Sequence, residues 1–150
     1  MEVFRISKAV FSKALTSSGS ANRWNRKGQQ VLYAGSSRSL STLELIVHKG
    51  AVVPAETYKV MVISIADEDY LSKKIHIKDL PSNWRTFAAY SALQKIGSDW
   101  IHSQETLLLK VPSAVIPYEY NFIINTEHPA FNNKVHLART EEYFWDSRLL

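Results

Sequence analysis

Between Arg23 and Glu44 the chain changes its apolar period, and that change limits what the flanking residues can build. Val31-Leu32-Tyr33-Ala34 is a short apolar run with Gly28 ahead of it and Gly35-Ser36-Ser37 behind it, the pattern of a strand that ends in a turn. Ser39 can then cap a helix, and from there Leu40, Leu43 and Val47 recur at helical spacing. A strand is therefore followed directly by an amphipathic helix. Glu44 stands four residues after Leu40, at the edge of the apolar stripe, where a carboxylate loses part of its hydration and needs a partner or a purpose. Ahead of the strand, Arg23 sits beside Trp24.

The remaining segments supply a sheet for this unit to join. Val3-Phe4-Arg5-Ile6 alternates as a short first strand, and Lys8 to Leu15 predicts a helical turn before the small polar loop Thr16-Ser17-Ser18-Gly19-Ser20, a candidate lid. Gly50 closes the first helix, and Val52-Val53-Pro54 leads into a strand at Tyr58 to Ile65, apolar enough for burial on both faces. Ile75-His76-Ile77 predicts a further short strand. Phe87 to Ile96 predicts a helix with Gly97 as its stop, followed by a second piece from Ser98-Asp99. Strands are predicted at Thr106 to Val111, Tyr120 to Ile124 and Val135 to Leu137. The tail from Tyr143 to Leu150 is too aromatic to remain in water and is expected to dock. Early helices, many strands and no repeated strand–helix–strand period specify an α+β class, a mixed β-sheet core with short flanking helices.

Composition narrows the function classes. A chain of 150 residues fits one domain, read as residues 1–150. It has no cysteine, so disulfide frameworks and thiolate metal sites are excluded. Its five histidines, His48, His76, His102, His128 and His136, do not pair at metal-ligand spacing, so no metal is expected. The N-terminus lacks the apolar segment of a signal peptide, and no stretch approaches the roughly 20 apolar residues of a spanning helix; a soluble, cytoplasmic protein without membrane contact is expected. Net charge is +4, from 18 Lys and Arg against 14 Asp and Glu, with no dense basic run. Direct nucleic-acid binding is accordingly not the leading expectation, although charge and aromatics keep a non-enzymatic nucleic-acid-binding module as a third reading.

What can carry chemistry is a set of Arg, Tyr and Glu with hydroxyl and amide groups elsewhere. Arg23 offers a rigid fork for phosphate, or alternatively a structural ion pair. Tyr33 offers a ring for stacking, or a core tyrosine. Glu44 can stabilise developing positive charge, as carboxylates do in glycosidic bond cleavage, or form a salt bridge at the helix edge. Ser113 follows Pro112 at a strand end. Asn121 and Asn125 flank Phe122-Ile123-Ile124, and an inward amide there needs partners.

Taken in order, Arg23-Trp24-Asn25 with Gly28, Val31-Leu32-Tyr33, Ser39-Leu40 to Glu44, Gly97 to Trp100, Leu108 to Ser113, Asn121, Asn125, His128-Pro129 and Asp146-Ser147-Arg148-Leu149 resemble the RES domain family over nearly the whole chain. Two positions depart from the family pattern, Asn125-Thr126 for a common Asn-Pro and Asp146-Ser147-Arg148 for a common Asp-Pro-Arg. The resemblance implies a fold similar to ADP-ribosyltransferases and a toxin of a RES–Xre toxin–antitoxin pair that depletes NAD+ by cleaving the nicotinamide–ribose bond. NAD+ is then the substrate, with no other cofactor. The resemblance implies that Glu44, Arg23 and Tyr33 carry catalysis and that Arg23, Tyr33, Ser113, Asn121 and Asn125 contact substrate, Ser113 alternatively fixing Glu44. The implied partners are a helix-turn-helix antitoxin and a second copy of the chain. Hydrolysis, phosphorolysis and transfer of ADP-ribose to protein stay open as outcomes.

Overall fold

The computed structural model describes residues 1–50 and 55–149. Seven strands form one mixed sheet: β1 (Glu2–Lys8), β2 (Val31–Gly35), β3 (Tyr58–Ile65), β4 (Ser72–Lys74), β5 (Leu108–Pro112), β6 (Tyr120–Asn125) and β7 (Val135–Glu142). Their order is β4-β5-β6-β2-β1-β3-β7, with β4 and β5 parallel and the other neighbours antiparallel. Among the described residues three α-helices accompany it, α1 (Arg38–Lys49), α2 (Tyr90–Ser103) and the single turn α3 (Phe131–Lys134). The architecture is the expected α+β class. No helix among the described residues is long and apolar enough to cross a membrane.

The sheet has a seam. β1 pairs with β3 along its whole length, from Glu2↔Ser64 to Lys8↔Tyr58, and β2 pairs with β6 from Val31↔Asn125 to Gly35↔Asn121. β1 and β2, however, share the single register pair Phe4↔Gly35. The two wings therefore separate beyond that point, and α1, which follows β2 at once, packs on both strands beside the opening. Ser41 of α1 pins the arrangement, its hydroxyl lying 2.8 Å from the Phe4 carbonyl oxygen and 2.9 Å from that of Ser37.

Alternation within strands explains the apolar runs. On β5 and β6, Leu108 and Ile124 enter a cluster with Val3, Leu32, Ile63 and Ile65 on one face, whereas Leu109 and Ile123 enter a cluster with Trp24, Trp84, Leu93 and Trp100 on the other. Both faces are covered, so the strands read as continuous rather than alternating hydrophobic segments. The buried Trp100 indole keeps its donor satisfied by Thr106 Oγ1 at 2.8 Å.

Several local expectations shift. The α1 cap is Ser37, not Ser39: its side chain accepts from the Leu40 N–H at 3.0 Å. Gly50 does close the helix, at φ 68°. Gly97 does not stop α2, which runs unbroken to Ser103 and ends at Gln104 in the left-handed region, φ 51°. Gly97 serves a close approach instead, because a Cβ there would lie 2.8 Å from the Trp24 carbonyl carbon and closer still to its oxygen. The strand predicted at Ile75 to Ile77 falls earlier, at Ser72–Lys74, and Ile77–Asp79 forms a 3₁₀ turn. The helical turn after Lys8 is confined to Ala9–Phe11, and β7 extends to Glu142. Val52, Val53 and Pro54 lie outside the described residues, as does Leu150. The tail docks through alternate side chains: Tyr143 packs against the Phe4, Val60 and Val62 cluster and meets Trp145 edge-on at 5.8 Å, while Phe144 is 81% exposed.

Candidate active site

A cleft of about 710 Å³ opens beside the seam between β1 and β2. On α1, Ser41, Glu44, Leu45 and His48 face it, the i, i+3, i+4, i+7 set of a single helical side. Glu44 is half-buried, as its stripe-edge position predicted, and it has partners. Its Oε1 accepts hydrogen bonds from Ser113 Oγ at 2.8 Å and from Asn121 Nδ2 at 2.7 Å. Ser113 is aimed by its own loop, since its Oγ accepts from the N–H groups of Val115 and Ile116, each at 3.0 Å, which leaves the hydroxyl proton for Glu44. Asn121 is placed by β6, where it pairs with Gly35 on one side and Val111 on the other. Among the described residues Glu44 Oε2 has no hydrogen-bond partner. The carboxylate is thus fixed by one oxygen through neutral donors and presents the other oxygen.

Arg23 and Tyr33 line the same cleft. Arg23 Nη1 donates to the carbonyl oxygens of Trp84 and Arg85, each at 3.1 Å, and the guanidinium lies 4.9 Å from the centre of the Tyr90 ring. The structural ion pair weighed from sequence does not occur among the described residues; the arginines that pair with carboxylates are Arg38, Arg139 and Arg148. The Tyr33 hydroxyl donates to Asn25 Oδ1 at 2.6 Å and accepts from the Trp24 N–H at 3.1 Å. Burial pushes its phenol well above the usual tyrosine range, against the opposing pull of the Trp24 N–H and the Arg23 charge. With its hydroxyl protonated and committed, Tyr33 has a ring rather than an acid to offer. Asn25 is fully buried, and its amide donates to the carbonyl oxygens of Ser20 and Arg26 at 2.9 and 3.0 Å.

The Thr16 to Ser20 loop, considered as a lid, forms a wall of the cleft. It is held at three points: Ser17 Oγ to the Val31 carbonyl at 3.0 Å, the Gly28 N–H to the Gly19 carbonyl at 2.8 Å, and the Asn25 amide to Ser20.

Two residues alter the set read from sequence. Asn125 does not join the cleft. It is 1% exposed, its Oδ1 accepts from the Glu127 N–H at 3.1 Å and its amide reaches the Ile101 carbonyl at 3.5 Å, so it anchors the turn after β6. It shares a strand face with Asn121, but four residues of strand separate them by roughly 13 Å. Arg5, by contrast, was not singled out and does line the cleft. Its Nη1 donates to the Tyr33 carbonyl at 3.0 Å, burial holds its pKa below the ordinary arginine value, and no carboxylate pairs with it among the described residues. One signal existed, a single cation inside the apolar run Val3-Phe4-Arg5-Ile6.

Comparison with known proteins bears on the whole chain. The RES domain model matches residues 2–146. The chain is 35% identical over 130 residues to the Prs ADP-ribosylating toxin of Sphingobium sp. (strain YBL2), covering 85% of this chain and 80% of that protein. It is 32% identical over 127 residues to Toxin Res of Yersinia enterocolitica, covering 85% of this chain and 82% of that one. Among solved structures, a chain in the crystal structure of the M. tuberculosis MbcT–MbcA toxin–antitoxin complex superposes with a TM-score of 0.69 at 16% identity, over 99% of this chain and 85% of that one. That last likeness concerns the fold.

Proposed function

This chain belongs to the RES domain family, and from that premise we propose that it is the toxin of a toxin–antitoxin pair and depletes NAD+ by cleaving the nicotinamide–ribose bond. The observation that carries the reading is the fixed Glu44, held through Oε1 by Ser113 and Asn121 in a cleft that also holds two arginines without carboxylate partners among the described residues. Arg23 and Arg5 would bind the pyrophosphate, a dianion whose charge suits two guanidinium groups. The Tyr33 ring would order the nicotinamide end. As the bond breaks, its electron pair leaves with nicotinamide, which departs neutral, and the ribose carbon takes on oxocarbenium character. Glu44 Oε2 would stabilise that charge and orient the ribose hydroxyls. A new bond from the ribose carbon to oxygen completes the reaction. Attack by water yields ADP-ribose and a proton, whereas attack by inorganic phosphate yields a phosphorylated ADP-ribose.

The test is incubation of purified protein with NAD+, with and without phosphate, followed by product identification. Release of nicotinamide is expected, and intact NAD+ after prolonged incubation contradicts the reading. A second reading, transfer of ADP-ribose to a protein, is favoured by the likeness to the Sphingobium ADP-ribosylating toxin. Labelled NAD+ in lysate separates the two, since label on protein supports transfer and label only on small molecules supports hydrolysis or phosphorolysis. We further propose a cytoplasmic site of action, where this substrate is abundant, an Xre-type helix-turn-helix antitoxin and a homodimeric toxin core. Copurification with a neighbouring-gene product and light scattering of the isolated toxin check the last two. A monomer in solution would remove the dimer.

A further inference from the structure

The segment before α2 carries an unusual surface. Trp84 is buried, but three residues later Phe87 is 81% exposed, at the start of a 3₁₀ turn that runs into α2. Residues three apart in such a turn lie over one another, and Phe87 accordingly stacks on Tyr90 with ring centroids 4.7 Å apart and planes tilted by 39°. The sheet core gains little from a phenylalanine so exposed. The other exposed aromatic side chains among the described residues, Phe11, Tyr70, Tyr118 and Phe144, are not among the cleft residues, whereas Phe87 rests on Tyr90, which is.

Arg23 links this aromatic pair to the chemistry. Its guanidinium lies over the Tyr90 ring and donates to the carbonyls of Trp84 and Arg85, the segment that bears Phe87. The cleft thus holds a carboxylate fixed by Ser113 and Asn121, the Tyr33 ring, a guanidinium with no carboxylate partner among the described residues, and the Tyr90 ring, on which the exposed Phe87 stacks. A dinucleotide that placed its reacting ribose at Glu44 and its pyrophosphate at Arg23 would carry its second nucleoside past Arg23. There the available surface is aromatic.

We propose that Tyr90 and Phe87 form the platform for the adenine ring, with Phe87 supplying the exposed stacking face; this rests on the reading of the cleft as an NAD+ site. Stacking fits the geometry because every base has a π-face and the pair presents no directed donors or acceptors for base readout beyond the Tyr90 hydroxyl.

The test compares NAD+ with nicotinamide mononucleotide, which keeps the scissile bond but lacks the adenylate half. Phe87→Ala removes an exposed ring and leaves the core intact. The expected result is a rise of about five- to tenfold in KM for NAD+, the lower part of what loss of one base–aromatic stack produces, with kcat near the parent value and the kinetics for the mononucleotide unchanged. Phe87→Trp should restore the parent KM. An unchanged KM for NAD+, or equal losses with both substrates, overturns the platform. Titration with ADP-ribose reads the platform without turnover: Phe87→Ala should bind it more weakly, and equal or absent binding by both proteins also overturns the proposal. A parent protein that leaves NAD+ intact yet binds ADP-ribose in a Phe87-dependent way would refute cleavage and retain the platform.

Discussion

Arginines are used in two opposite ways at two ends of this molecule. At the outer edge, Arg38 in the first turn of α1 grips Glu141 of β7 at 2.8 Å, and Arg139 bridges Glu141 and Glu2, each at 3.1 Å. In the cleft, Arg23 and Arg5 donate, among the described residues, only to main-chain carbonyls. Glu44 shares that cleft, yet its partners are a hydroxyl and an amide. Cations and anion are therefore each held by neutral groups instead of neutralising one another. At the edge, charge is spent within the fold; in the cleft, geometry is fixed while charge is left for a ligand. A guanidinium removed from water without a counter-charge is costly, so the difference marks the cleft as the place where something anionic is expected.

Each side of the comparison can be broken separately. The largest effect is expected from Glu44→Gln, which keeps the shape and the acceptor for Ser113 and Asn121 but removes the charge. Turnover of NAD+ should fall by about 10²–10³, as for loss of one preorganised electrostatic group, with a much smaller change in affinity. Steady-state kinetics and equilibrium binding read the two quantities. Arg23→Ala should weaken NAD+ binding by about 10- to 100-fold, the loss of a charge-assisted contact, and an unchanged Kd would return Arg23 to a structural role. Arg5→Met should reduce affinity by a smaller factor, about tenfold. Because it replaces a partly buried cation lacking a carboxylate partner among the described residues with an apolar chain of similar length, it should leave thermal stability equal or higher. Marked destabilisation would contradict the view that the charge of Arg5 is reserved for ligand.

The smallest effect belongs to the outer edge. Glu141→Gln should leave NAD+ turnover at the parent level. Hydrogen bonds from Arg38 and Arg139 hold the Glu141 carboxyl at about 2, below the ordinary carboxylate range. Its contribution to stability is therefore present above the ordinary carboxylate range and lost as pH falls toward the folded value. The parent should lose more thermal stability than the variant between about pH 4.5 and pH 2; parallel losses would show that the cluster does not act through this carboxylate.

Much of this arrangement could be read from the chain alone, and the misses have physical causes. Continuous apolar runs located β2 and the double-faced β3, helical spacing located α1, and the position of Glu44 at the stripe edge gave a half-buried carboxylate in need of partners. Arg5 escaped notice because one cation in an alternating strand reads as a solvent-facing residue. Only the strand register, with β1 and β2 meeting at Phe4 and Gly35, turns that position into the cleft. Asn125 joins Asn121 in the sequence reading because the two flank one apolar run, which says nothing of the distance between opposite strand ends. Gly97 was read as a stop because local pattern cannot display the Trp24 backbone packed against it from elsewhere in the fold. Local periodicity reports which face a side chain takes, whereas a site depends on which distant faces meet.

The most direct test of the division of labour in the cleft is the rate of nicotinamide release in a single turnover at saturating NAD+, measured for the parent, Arg23→Ala and Glu44→Gln. Binding is then removed from the comparison. The account predicts near-parent release for Arg23→Ala and a rate reduced by about 10²–10³ for Glu44→Gln. Parent-rate release by Glu44→Gln, or equal losses in both variants, would contradict it.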